Sequence, residues 1–89
     1  MFEIPGRAAE FPCKFPMKVI GREVDNFEGF VREIVQRHVS AADWLTTTRR
    51  FSRTGKYVSI TITFIAESRE QLDGLYVELS RSRRVLFLL

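Results

Sequence analysis

Apolar and polar residues change period along this chain, and each change marks an element. From Phe15 to Ile20 the pattern alternates: Phe15, Met17 and Val19 share one face, while Pro16, Lys18 and Ile20 share the other, and Gly21 ends the run. This spacing predicts a strand. Pro16 belongs at its start or on an open edge, because proline has no N–H to give to a ladder. From Asp25 to His38 the period lengthens. Phe27, Phe30, Val31, Ile34, Val35 and, just beyond, Val39 recur at steps of three and four, as an amphipathic helix requires. Asp25 is the expected N-cap, with Glu28 as the capping-box carboxylate. Arg37 and His38 fall in the last turn, where positive charge suits the helix dipole.

Trp44 to Phe51 is a β-branched run centred on Thr46, Thr47 and Thr48 and predicts a second strand. Ser52 to Lys56 is a short loop in which Gly55 supplies the positive φ of a tight hairpin. Tyr57 to Ile65 then alternates again. Val58, Ile60, Ile62 and Phe64 are the expected buried face, and Tyr57, Ser59, Thr61 and Thr63 the open one. Ser68 and Gln71 form a second capping-box signature, followed by the stripe Leu72, Leu75, Tyr76 and Leu79 up to about Ser80. Arg84 to Leu89 is short and apolar, a closing strand. The order β-α-β-β-α-β predicts an α+β ferredoxin-like sandwich, a four-stranded antiparallel sheet with two helices on one face. Residues 1–9, with Pro5 and Gly6, show no period and are expected to be a flexible tail; residues 10–89 are expected to form a single domain.

Composition narrows the function more than it specifies it. A length of 89 residues supports one core. No stretch nears the roughly 18 continuous apolar residues of a membrane span, and the start lacks the basic-then-apolar order of a signal peptide, so the expected setting is cytoplasmic. The formal net charge of +3 permits a polyanionic partner without requiring one. The single cysteine, Cys13, has no second thiol to pair with, and the single histidine, His38, has no companion ligand nearby in sequence; neither predicts a metal or redox site. Glu67, Glu70, Asp73 and Glu78 are expected as solvated charges on the outer face of the second helix. No phosphate-binding loop, dinucleotide fingerprint, zinc-protease motif or nucleophile elbow is present, so no enzyme activity and no cofactor are expected.

The blocks "EFPCKFPMKVIG", "VREIVQRH", "SRTGKYVSITIT" and "EQLDGLYVEL" together resemble the YbeD-like family of small uncharacterised bacterial proteins. The likeness runs from about Glu10 to Leu89 and keeps the order and spacing of all the blocks. It implies a ferredoxin-like fold similar to regulatory ACT domains and brings no established activity. A looser likeness lies in "VIGREVDNFEGFV". ACT domains that sense small molecules pass from first strand to first helix through a Gly, an Asp and a further Gly. The resemblance implies a small-ligand site at Gly21, Asp25 and Asn26, where helix N–H groups could receive a carboxylate. A bland capped turn explains the same residues.

Two further candidates come from the residues themselves. Arg49, Arg50, Arg53 and Lys56 at the hairpin could contact phosphates, with Tyr57 to stack on a base, an alternative reading as a nucleic-acid-binding domain. A sheet face with one aromatic forfeits most of the stacking energy of about 1–3 kcal/mol per base, and solvated hairpin charges are the simpler explanation. The open face is the second. Ile20, Thr61, Thr63 and either Leu86 or Leu88 would make a partly apolar surface suited to a homodimer or another protein partner. Alternatively the segment holding Phe2, Ile4 and Phe11 would cover it. The expectation for the whole is a small regulatory or protein-interaction module.

Overall fold

The computed structural model describes residues 10–89, so the expected tail, with Phe2 and Ile4, lies outside the described residues. The chain forms β1 (Cys13–Arg22), α1 (Phe27–Gln36), one 3-10 turn (Ala41–Asp43), β2 (Trp44–Phe51), β3 (Tyr57–Ala66), α2 (Arg69–Ser80) and β4 (Val85–Leu88). The strands pair antiparallel in the order β2-β3-β1-β4, the ferredoxin-like α+β sandwich.

The alternation decides which way each strand faces. Phe15, Met17 and Val19 of β1 and Val58, Ile60, Ile62 and Phe64 of β3 are buried in one cluster with Phe27, Val31 and Val35 of α1 and Leu72, Leu75 and Leu79 of α2. Both helices therefore cover the same face. Each of these larger side chains contributes about 1.5–3 kcal/mol by leaving water. Phe11 packs against this cluster rather than over the other face.

Pro16 sits within β1 and yet costs no ladder bond. Lys18 donates its N–H to Leu89 O at 3.1 Å, so N–H groups of this parity point toward β4. Two residues earlier, Pro16 points the same way, past the stretch that β4 pairs. Gly55 adopts φ 77° at the β2–β3 turn, and its N–H donates to Ser52 O at 2.9 Å.

Gly21 has a different task. A Cβ built on it would lie 2.4 Å from the Phe27 ring and 2.5 Å from Arg84 O. The bare backbone lets the first residue of α1 and the approach to β4 close onto β1, at the point where the β1–β4 register shifts.

The helix ends differ from expectation at α1. Asn26, not Asp25, is the N-cap; Asp25 (φ 51°) and Asn26 (φ 53°) both take the left-handed conformation. Asn26 Oδ1 accepts from Gly29 N–H at 3.2 Å. Gly29 is thus the third helical residue and has no side chain to complete a capping box, and a Cβ there would strike the Asn26 amide at 2.3 Å. Glu28 pairs with Arg32 and Arg49 instead. The helix also stops at Gln36, with Arg37 at the cap, so His38 lies beyond it. At α2 the box forms: Ser68 Oγ accepts from Gln71 N–H at 3.1 Å, and Gln71 Oε1 accepts from Glu67 N–H at 2.7 Å. Gln71 Nε2 also donates to His38 O at 2.7 Å, which ties the start of α2 to the end of α1.

Candidate functional site

The β1–α1 connection was the expected ligand site, and the structure shows how it is held. Arg84, just before β4, donates from its guanidinium to Val24 O and Asp25 O. The same guanidinium lies 4.7 Å from the Phe30 ring centroid and 5.7 Å from that of Phe27. Its charge is thus shared between carbonyl oxygens and π faces. Asp25, Asn26, Gly29, Phe30, Arg32, Glu33, Gln36 and Arg84 line a shallow cleft of about 580 Å³. Asp25 and Asn26 belong to its wall; Gly21 does not, being buried beneath Phe27. The Gly29 N–H, which an anion would need, is taken by Asn26. Arg84 was expected only as the start of the closing strand. Its role as a clamp on a loop some sixty positions away has no local sequence signal.

The basic hairpin divides between two faces. In the β2–β3 register Arg49 lies opposite Ile60 and Arg50 opposite Ser59, so Arg49 points to the helix side and Arg50 to the open side. Arg49 Nη1 donates to Glu28 Oε1 at 2.9 Å, and Arg32 Nε donates to Glu28 Oε2 at 3.0 Å. Glu28 therefore bridges α1 to β2. Arg53 and Lys56 remain at the exposed turn, and the Lys56 ammonium lies 5.9 Å from the ring centroid of Tyr57.

His38 and Glu78, expected as a helix-end cation and a solvated charge, come together. His38 Nε2 lies 2.7 Å from Glu78 Oε1, and Arg37 pairs with Glu78 Oε2. A carboxylate only accepts, so the imidazole donates from Nε2. Burial, and then the charge of Arg37, holds the His38 pKa below its ordinary value. Glu78 is half-buried between the two residues that follow α1 and is not a solvated charge; the early end of α1 is what turns them toward α2. Cys13 sits opposite Ala66 at the start of β1 and packs partly against the core. Among the described residues no group of His, Cys, Asp or Glu is arranged to hold a metal ion, and no helix is long and apolar enough to cross a membrane.

The face of the sheet away from the helices gathers residues from all four strands. Register places its side chains in rows. Arg50, Ser59, Ile20 and Phe87 form one, and Thr48, Thr61, Lys18 and Leu89 the next; Thr46, Thr63 and Pro16 make a third. Ile20, Thr61 and Thr63 lie here. Leu88 does not: it pairs with Val19 and packs on the core, while Phe87 and Leu89 point outward at 63% and 60% exposure. Leu86 is exposed but falls in the irregular step of the β1–β4 ladder, so register assigns it to none of these rows. Lys14, Lys18 and Arg22 recur every fourth residue along β1, all on this face, with Pro16 and Ile20 between them.

Comparison with known proteins agrees with this fold. Two solved structures, the solution structure of protein HP0495 from H. pylori (TM-score 0.69, 14% identity, covering 96% of this chain and 89% of that one) and that of the C-terminal domain of the MgtC protein from Mycobacterium tuberculosis (TM-score 0.69, 17% identity, covering 92% and 89%), share its architecture. Two "UPF0250 proteins" are closer in sequence. That of Ectopseudomonas mendocina is 40% identical over 77 residues, 85% of this chain and 84% of the relative. That of Shewanella sediminis is 45% identical over 71 residues, 80% and 78%. The model of the family described as "Protein of unknown function (DUF493)" matches residues 7–89. The chain therefore belongs to this family of YbeD-like bacterial proteins, whose activity is uncharacterised.

Proposed function

We propose that the protein is a small regulatory or interaction module, without catalysis of its own, that docks another protein on the face of its sheet away from the helices. The observation that carries this reading is the exposed apolar pair Phe87 and Leu89 beside Ile20, on the one face that neither helix covers. The alternatives draw less support. In the β1–α1 cleft the polar groups a small ligand would use are already engaged, Arg84 by carbonyl oxygens and the Gly29 N–H by Asn26. For nucleic acid, the two central strands present Lys18 and Ile20 beside Ser59, Thr61 and Thr63, with no aromatic in the middle of the face. Tyr57 stands at one end of the sheet under Lys56, and Arg49 is paired to Glu28.

Photo-crosslinking in bacterial cells tests the reading. The full chain carries benzoylphenylalanine at position 87 or 61 on the open face, or at position 70 or 81 on the helix layer. Protein adducts from the open-face positions and none from the helix layer are expected. Adducts confined to the helix layer, or none anywhere, would overturn it; adducts sensitive to ribonuclease would move the function to nucleic acid. An adduct of twice the chain mass would make a second copy the occupant.

A further inference from the structure

We infer that the partner this face takes is an acidic polypeptide. The inference rests on the interaction reading above and adds the chemistry of the occupant. Every charged residue within the four strands is a cation: Lys14, Lys18 and Arg22 in β1, Arg49 and Arg50 in β2, and none in β3 or β4. The carboxylate side chains among the described residues lie in the helices, the 3-10 turn, the connections and, at Glu10, ahead of β1. Arg49 alone of these cations turns to the helix layer, where Glu28 neutralises it. Lys14, Lys18, Arg22 and Arg50 face outward, and none of them is in an ion pair among the described residues. The molecule is thus charge-segregated, with carboxylates and cations mixed on the helix side and only cations, none of them in an ion pair, on the open side of the strands.

The layout favours a polypeptide over other anions. Along β1 the order is cation, apolar, cation, apolar, cation: Lys14, Pro16, Lys18, Ile20, Arg22. At about 3.3 Å per residue, cations four positions apart stand roughly 13 Å from one another, with an apolar contact midway. Ile20 widens into Phe87 on the neighbouring strand and Lys18 into Leu89, so the apolar patch is continuous. A segment whose carboxylates are spaced by apolar side chains matches this surface; a nucleic-acid strand would need stacking partners that the central strands lack. A second copy laid face to face would set Lys14, Lys18, Arg22 and Arg50 against the same cations. Strands spaced about 4.8 Å apart and some 30 Å long give a face of roughly 500 Å², the scale of a transient contact.

The full chain labelled with ¹⁵N is titrated with a fluorescein-tagged probe peptide whose glutamates recur every fourth residue with leucines between. The matching lysine peptide, polyuridylic acid and phosphatidylglycerol vesicles are compared. Expected is salt-sensitive binding of the acidic peptide alone, with shifts at Ile20, Thr61, Thr63 and Phe87. Lys18→Glu combined with Arg50→Glu should weaken it at least about tenfold, and Lys18→Ala with Arg50→Ala less, because loss of attraction costs less than repulsion. Arg81→Glu on the helix layer should leave it unchanged. All the substituted sites are exposed, and circular dichroism checks that each variant is folded.

No binding of the acidic peptide at low salt, shifts confined to the helices, or equal loss in the Arg81 variant would overturn the inference. So would tighter binding of the RNA or the vesicles through the same residues. Open-face crosslinks to neutral or basic segments would sink the acidic partner and leave the interaction reading standing; absence of open-face crosslinks would sink both.

Discussion

Replacing Gly21 by alanine should destabilise the protein by about 1–2 kcal/mol, and the sign is the informative part. In an unstrained strand the change would help by roughly 0.5–1 kcal/mol, since alanine loses less conformational freedom on folding. Gly21 needs no special φ, so only space can reverse that sign. The added Cβ meets the Phe27 ring at 2.4 Å and Arg84 O at 2.5 Å. The ring is fully buried with the Arg84 guanidinium across it, and the oxygen is backbone, so neither can step aside alone. Contacts this short belong in the upper half of the overpacking cost of about 1–3 kcal/mol, and about 2–2.5 less the gain of about 0.5–1 leaves the net loss stated. At about 4–8 °C per kcal/mol, Tm should fall by roughly 4–16 °C. Urea unfolding followed by circular dichroism gives the value, and the cycle with Phe27→Leu tests its cause. A shorter side chain withdraws the ring atoms, so the double variant should be less destabilised than the sum by at least about 0.5 kcal/mol. A Gly21→Ala protein as stable as the parent, or strictly additive singles, would refute the packing argument.

Asn26→Ala should cost about 2 kcal/mol in the same assay, roughly 1 for the lost cap and 1 for holding alanine in the left-handed region; Asn26→Gly should cost only a few tenths, and equal losses would mean that the backbone conformation is not what selects asparagine. Tyr76, whose phenol donates to Leu89 O at 3.2 Å, has its pKa pushed up to about 12 by burial. The folded state thus holds this proton more tightly than the unfolded one, so the stability it contributes is intact below the unfolded value of about 10 and is lost as pH rises from there toward 12. Absorbance at 295 nm should show a late ionising step that Tyr76→Phe removes; a late step that survives the substitution would contradict this.

Most of the fold was legible because period and burial agree. The β3 alternation at Val58, Ile60, Ile62 and Phe64 and the α2 stripe at Leu72, Leu75, Tyr76 and Leu79 are core positions in the structure. Errors gathered where one residue decides and several fit. Asp25 and Asn26 are both good caps, and only the closeness of Asn26 to Gly29 separates them. β4 is four residues long, too short for alternation to survive the register shift at Ile20 and Gly21. The contacts of Arg84 and of Glu78 with His38 join residues distant in sequence, and no local pattern encodes them.

The basic residues show the same limit from the other side. Four of them cluster in sequence around the hairpin, which is why they drew the eye, yet sequence adjacency in a strand means opposition in space: Arg49 and Arg50 serve different faces, one spent on Glu28 and one left to solvent. Lys14, Lys18 and Arg22 are scattered in sequence and aligned in space, because a spacing of four is even and keeps strand residues on one side. Charge read along the chain therefore points to the turn, whereas charge read through the pleat points to the sheet. The second reading is the physical one, since a partner meets a surface and not a sequence. On the proposal above, a partly apolar face whose strand charges are all cations favours a carboxylate-bearing chain over a like-charged copy.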